Sequence, residues 1–391
     1  MKPLVEVTVD GKPVANAFYE RLISLSVTDK EGVSSDTFQI ELNDGPPSFL
    51  AVPRKGAKVT IKIDDGSGMR SLGIFTVDKV TAKCLPYGLS ISGKAADLRS
   101  GKLKENRERH WDKARLKDIV EEVAKESNLK VAIDEDIGSF EYGWIAQQDE
   151  SNIHFLERLA SRHNALFAIK NGSIVFTSKG SGQTASGKPA GTVIIDPKIV
   201  IQGSCSFEAN DRTKYKKVVA YYQDRDKAER VELGVDADAD GDSVLRLPEP
   251  YSSPDEADKA AEAKTKALKR GEGAASVTVI GSTAICAGLP LLFQSIRPGF
   301  DGVPYVIDTA THTYTKTNGY QTQISAKLYD GQSAGDGKGK KKKTVTTGQA
   351  SQSEQTAKSD NKVAPDAPAG TPATPSGWSE FKRNYGLADY N

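Results

Sequence analysis

The sequence predicts a mainly β chain with an α+β insertion: two small antiparallel β-barrels, one inserted α/β unit and a disordered C-terminal tail. Three observations carry that reading. Short alternating runs punctuated by Gly, Pro and Asp fill residues 1–98 and return over 193–330, the pattern of small antiparallel barrels or sandwiches. Between them the apolar period shifts from two to that of a helix, and after Tyr329 the composition collapses into Gly, Ser, Lys, Gln and Pro. At 391 residues the chain exceeds one simple core, and 37% hydrophobic against 27% charged residues describes a soluble protein.

Within the first barrel, 1–98, the runs at 4–9, 22–27, 38–42, 59–63, 73–80 and 89–92 read as strands, with turn residues between them. The stretches 54–58 and 64–68 read as turns. A Gly-rich phosphate cradle is the weaker alternative for them, because no helix follows to offer its N-terminal amides.

The α+β insertion, 99–176, opens with a basic stretch: Arg99, Lys102, Lys104, Arg107, Arg109, Lys113, Arg115 and Lys117. Glu105 and Glu108 interrupt it and His110-Trp111 supplies a single aromatic, so it reads as a solvated connector rather than a nucleic-acid surface. A helix follows with the stripe Leu116, Ile119, Val120, Val123 and Ala124, ending near Asn128. A second helix is predicted over 149–163, with Asp149 as N-cap and Ile153, Leu156, Leu159 and Ala160 on one face. From Leu166 the period becomes two, and Asn171-Gly172 is the type I′ turn of a tight hairpin into Ile174 and Phe176.

Residues 177–192 are Gly/Ser-rich and read as a flexible loop. The second barrel, 193–330, carries strands at 192–195, 199–202, 204–208 and 214–222. Asp236-Ala237-Asp238-Ala239-Asp240-Gly241-Asp242 copies the opening of an EF-hand loop, yet the twelfth position, where a bidentate Glu belongs, is Leu247. An acidic hairpin tip is the preferred reading. Ser253 as N-cap, Pro254 at the first helical position and Glu256 in the capping-box position start a helix over 254–270. Its apolar face is mostly alanine, suited to close contact with a sheet. Strands resume at 275–280, 290–294, 303–310, 312–316 and 320–328.

Residues 331–375 read as disordered linker, since they hold too little apolar surface to offset the entropy of ordering. The last segment, 376–391, concentrates aromatics again. Trp378, Phe381 and Tyr385 fall on one face of a short helix, with Tyr390 close behind, and predict a partner-docking peptide.

Nothing in the sequence points to chemistry. Net charge is +1, which argues against bulk electrostatic attraction to nucleic acid or membrane. No signal-peptide core stands at the N-terminus and no run of about 18 apolar residues occurs, so manufacture in the bacterial cytoplasm without membrane insertion is expected. Cys84, Cys205 and Cys286 are widely spaced and read as buried free thiols. The four histidines stand in no metal-binding or triad company. No catalytic, cofactor-binding or metal-ligating residue is assigned, and no small-molecule substrate is expected. A glycosidase pair such as Glu141 and Asp149 has no support from spacing.

Several collinear segments nevertheless resemble one family. The run DESNIHFLERLASRHNALFAIKNGSIVF at 149–176 is similar to the signature segment of the phage late control D proteins. LGIFTVDKV at 72–80, ISGKAADLRSGKLKENRERHW at 91–111, VTVIGSTAICAGLPLLF at 277–293 and the stretch 296–328 follow in family order. The resemblance implies a baseplate hub of a contractile phage tail or a tail-like particle, built from two related barrels with an α/β insertion. It further implies a homotrimer that offers pseudo-sixfold symmetry to the tail tube protein and threefold symmetry to the central spike protein, among other baseplate proteins. The family carries no catalytic residues. Two alternatives stay open at this point: a cell-wall hydrolase component of the tail tip, and the hub of a type VI-like secretion device.

Overall fold

The computed structural model describes residues 4–32, 36–95, 101–170, 173–179, 191–209, 214–224, 229–238 and 241–329. The sequence's C-terminal assignments, the linker 331–375 and the docking residues Trp378, Phe381, Tyr385 and Tyr390, lie outside the described residues.

The first region folds as β1 (Leu4–Val9), β2 (Lys12–Pro13), α1 (Asn16–Arg21), β3 (Leu22–Lys30), β4 (Thr37–Leu42), β5 (Lys58–Asp64), β6 (Met69–Lys83) and β7 (Gly88–Ala95). Alternation sends Leu25, Val27, Phe38, Ile40, Ile61, Ile63, Phe75 and Leu89 into one core, leaving mostly polar residues outside. In this region the sequence did not signal the two-residue β2 or α1, each too short to show a period; the buried residue of α1 is Phe18. The turn at 64–68 is held by its own side chains: Asp64 Oδ1 accepts from the amides of Gly66 and Gly68.

The insertion runs α2 (Gly101–Lys104), β8 (Asn106–Arg115), α3 (Leu116–Glu126), β9 (Lys130–Ile133), α4 (Glu135–Gly138), β10 (Glu141–Ser151), α5 (Asn152–Arg162), β11 (Ala165–Lys170) and β12 (Ser173–Ser178). Helices α3 and α5 pack their apolar faces on the sheet β11-β12-β9 and the ribbon β8-β10, closing a second core around Phe155, Leu156, Phe167 and Phe176. Two expectations are corrected here. The basic stretch is solvated but is not a mere connector, because most of it is strand β8, paired along its length with β10 and with no residue of its own fully buried. The N-cap of α5 is Ser151, whose Oγ accepts from the His154 amide at 3.3 Å, rather than Asp149. Asp149 instead sits at φ 48° where the β8–β10 register slips, a bulge that consumes the residue before the helix can begin.

The last region contains β13 (Val193–Ile195), β14 (Ser206–Ala209), β15 (Lys217–Asp224), β16 (Glu229–Asp236), β17 (Val244–Tyr251), α6 (Pro254–Gly271), β18 (Gly273–Ile280), β19 (Pro290–Phe293), β20 (Pro304–Thr315) and β21 (Gly319–Leu328). Helix α6 starts as its caps dictate, with Ser253 Oγ accepting from the Glu256 amide, and lays Ala257, Ala260 and Ala261 on the sheet β16-β15-β17. The acidic stretch 236–242 is not a hairpin tip: β16 is antiparallel to β15 whereas β17 is parallel to it on the other edge, so the chain crosses over. Among the described residues no group of three or more His, Cys, Asp or Glu could hold a metal. The run 199–202 contributes only an isolated bridge, Val200 to Val279. The two runs at 303–310 and 312–316 are one strand, β20, with a bulge between Ile307 and Thr309. The cysteines are free, but Cys84 and Cys286 are exposed and Cys205 is half-buried, since each lies in or beside a turn and not on an inward strand face.

One ladder joins first and last regions. Its order is β14-β18-β21-β20-β3-β4-β7-β6-β5-β1-β2, with β19 on β20 and β13 on β19. Among the described residues this hydrogen-bonded path closes no ring, and it links the two β regions into one continuous sheet bearing two cores. Strand β20 is the cause, being long enough to pair with β21, β19 and β3.

Candidate assembly surface

The seam between halves is the β3–β20 pair, from Ser24 opposite Thr315 to Lys30 opposite Thr309. Beyond the bulges, registers line up across the sheet into rows. Thr278, Gln323, Thr311, Thr28, Thr37 and Lys94 form one row over six strands, and Ile280, Gln321, Thr313, Ser26, Gln39 and Ser92 form the next. The outer face is therefore mostly hydroxyl and amide side chains that run unbroken through the seam, where Thr28 Oγ1 and Thr311 Oγ1 lie 3.4 Å apart. Behind it, His312 is buried with Nδ1 2.7 Å from the Tyr320 hydroxyl and 3.2 Å from Thr322 Oγ1. Burial pushes the His312 pKa down, so the ring is neutral and serves as a hydrogen-bonding strut.

Three residues of the first half, Asp65, Asp29 and Glu31, make further side-chain bonds to the last. Asp65, in the β5–β6 turn, accepts from the Thr283 amide at 2.6 Å and from its hydroxyl at 2.8 Å. Burial alone would raise the Asp65 pKa, but the bonds from Ser67 and Thr283 outweigh it and hold the carboxyl well below the usual range. Asp29 accepts from the Ala287 amide at 2.9 Å. Glu31 at the end of β3 pairs with Arg270 at the end of α6 at 2.7 Å, both side chains under a tenth exposed. Nearby, burial pushes the Lys179 pKa down despite the opposing charge of Glu31.

The insertion is held by its own polar centre. Arg109 donates from Nε to Gln147 at 2.8 Å, from Nη2 to Asn152 at 3.0 Å and from Nη1 to Glu126 at 2.6 Å. Gln147 and Asn152 are fully buried, and the guanidinium also covers Trp111, which stacks on Phe155 at 5.0 Å. Helix α5 meets α6 through Arg162, which pairs with the buried Glu256 and lies over the Tyr251 ring at 5.3 Å. Such an arrangement fixes orientation. These buried charged and aromatic groups are tied to one another, and they brace the insertion against the sheet.

The sequence-predicted candidates divide accordingly. The basic stretch supplies a half-buried residue, Arg109, to the polar centre of the insertion, and Glu141 and Asp149 stand towards opposite ends of β10. The seam, Asp65, Glu31 and Arg270 were missed, since their partners are more than two hundred residues away along the chain.

The profile of the phage tail baseplate hub (GPD) family matches residues 30–318, a span that takes in both β halves, the seam and the insertion. The chain belongs to this family. Probable baseplate hub proteins of Escherichia phage 186 and Escherichia phage P2 are each 26% identical over 371 residues, covering 84% of this chain and 94% of theirs. Two solved structures share the fold. The 43 kDa tail protein of prophage MuSo2 from Shewanella oneidensis superposes with a TM-score of 0.66 at 16% identity, covering 84% of this hub and 99% of that protein. A tail protein from Neisseria meningitidis MC58 gives 0.63 at 14% identity, covering 84% and 98%. The protein is thus a baseplate hub of a phage tail, a structural component of the virion. No described helix of the hub is long and apolar enough to cross a membrane.

Proposed function

We propose that this hub acts as a trimeric symmetry adaptor between the sixfold tail tube and the threefold central spike, without enzymatic activity. The observation that carries the reading is the continuous sheet: two β halves of similar build, each with its own core, are locked in one ladder with matched outer rows. Three copies of such a chain offer six β halves, which is what a sixfold ring requires, while the copies themselves keep threefold symmetry. In this reading each half curls as a small barrel-like unit and the insertion braces the outside. The tail tube and the spike take opposite faces.

Light scattering of the purified hub mixed with its spike protein tests the stoichiometry, with three copies of each expected. A stable monomer in that mixture would count against the adaptor. A peptidoglycan zymogram tests the absence of activity, and clearing that vanishes on changing one carboxylate would restore the hydrolase reading.

A further inference from the structure

We propose that the C-terminal aromatic segment, residues 376–391, seats on an apolar patch at one end of the first β half of its own chain. Registers place that end. Leu22 pairs with Leu42 and Leu42 with Leu89, so the start of β3, the end of β4 and the start of β7 finish together. The loop after β4 and the turn between β6 and β7 close this end, and they carry Phe49, Val52, Leu85 and Tyr87, exposed by 60, 58, 81 and 37%. Phe49 and Tyr87 pack edge to face at 5.8 Å, so these two rings of the patch are held in place in advance. The loop is anchored as well: Arg21 donates to Asp44 at 3.2 Å and to the Ser48 carbonyl at 2.7 Å. Leu85 holds φ 55°, the left-handed region that a leucine rarely occupies, and presents its side chain to solvent. A wetted leucine there is costly on both counts, which is the signature of a surface kept for contact.

The occupant is set by chain length and composition. The segment follows β21, whose first residue, Gly319, lies opposite Thr315 at the patch end of the seam, while its last, Leu328, lies at the far end. The ten residues of β21 span roughly 33 Å at about 3.3 Å each, so that is the scale of the distance to cover. Residues 330–375 have an r.m.s. reach of roughly 35–40 Å as a flexible chain, a match to that span. Tethered so, the segment acts at an effective concentration in the millimolar range, enough to occupy a weak site. Its rings suit an apolar patch, and Glu380, Lys382, Arg383 and Asp389 cancel, so burial rather than charge decides the fit.

The test is photo-crosslinking of the full-length chain with a benzophenone amino acid at position 378, on a mixture of light and heavy isotope-labelled protein. Crosslinks should map to 44–53 and 84–88 and stay within one isotope. The double variant Phe49→Ser, Leu85→Asp should reduce them at least tenfold. Both positions are exposed and Asp tolerates φ 55° better than Leu, so the variant should keep the wild-type melting temperature. Should it not, Val52→Asp gives the same readout. Crosslinks elsewhere on the chain, crosslinks between isotopes, or yields unchanged in the variants would each overturn the proposal.

Discussion

His163 is a neutral imidazole packed inside the insertion, with Nε2 2.6 Å from the Tyr142 hydroxyl and Phe140 against its ring at 4.7 Å. Burial lowers its pKa to about 4, with Lys259 of α6 and Arg162 of its own helix adding to the effect, and burial raises that of Tyr142. Above pH 6.5 the ring is neutral in both folded and unfolded chains and contributes no pH dependence. As pH falls from 6.5 towards 4, only the unfolded chain takes up the proton, so stability declines, by up to ~3 kcal/mol over that window. Urea unfolding at pH 7.5 and 4.5 should show a smaller loss in His163→Gln than in the wild type. A second residue-scale test concerns Arg109. Asn152→Leu removes an acceptor from the guanidinium and from Gln147, both inside the fold, and should destabilise by about 3 kcal/mol in the same assay. At this scale the sequence was legible where the chemistry is local, as at Ser253 and Glu256. It misled where a strand pairing decides: Arg109 looked like one of eight surface cations until β10 supplied Gln147 from the strand opposite.

Helix α6 shows why some elements announce themselves. Its start is written in four consecutive residues: Ser253 accepts from the Glu256 amide at 3.2 Å, Pro254 has no N–H that needs an acceptor, and the Glu256 carboxylate turns back to accept from the Ser252 amide at 3.0 Å. Ser253→Ala should therefore lower stability by ~1 kcal/mol, and Ser253→Asp should recover most of it, read from thermal melts of the full chain. Strands β16 and β17 were not foreseen, because half-exposed strands on a three-stranded sheet carry a weak apolar alternation and their pairing partner is set by topology. The parallel β15–β17 pair shows the limit: an acidic turn between two strands has the same composition whether it closes a hairpin or crosses to the far edge. The bulge at Asp149 is a similar case, in which a plausible cap residue is diverted by the preceding strand.

For the whole molecule, alternation and turn residues revealed two β regions and an insertion, but not that β20 would bind β3 and make the halves one sheet. That pairing joins residues nearly three hundred apart, and each half alone satisfies its own hydrophobic pattern, so nothing local encodes the union. What fixes it is a small set of tertiary ties, of which Glu31 to Arg270 is the most buried. One carboxylate oxygen of Glu31 has no hydrogen-bond partner among the described residues, so this charge depends on Arg270 and on the field around it. Arg270→Ala should then cost about 3–5 kcal/mol, because it leaves a buried carboxylate unpaired. Glu31→Gln combined with Arg270→Met removes both charges and should recover much of that loss, a coupling that a double-mutant cycle in urea measures directly. Equal losses in the single and double variants would mean that the pair acts through packing and not through charge. The pair sits where the end of β3, the end of α6 and the tail of β12 converge, so its rupture should loosen the insertion from the sheet first. Hydrogen exchange in Arg270→Ala should accordingly rise in α6 and β12 before it rises in β4 and β7.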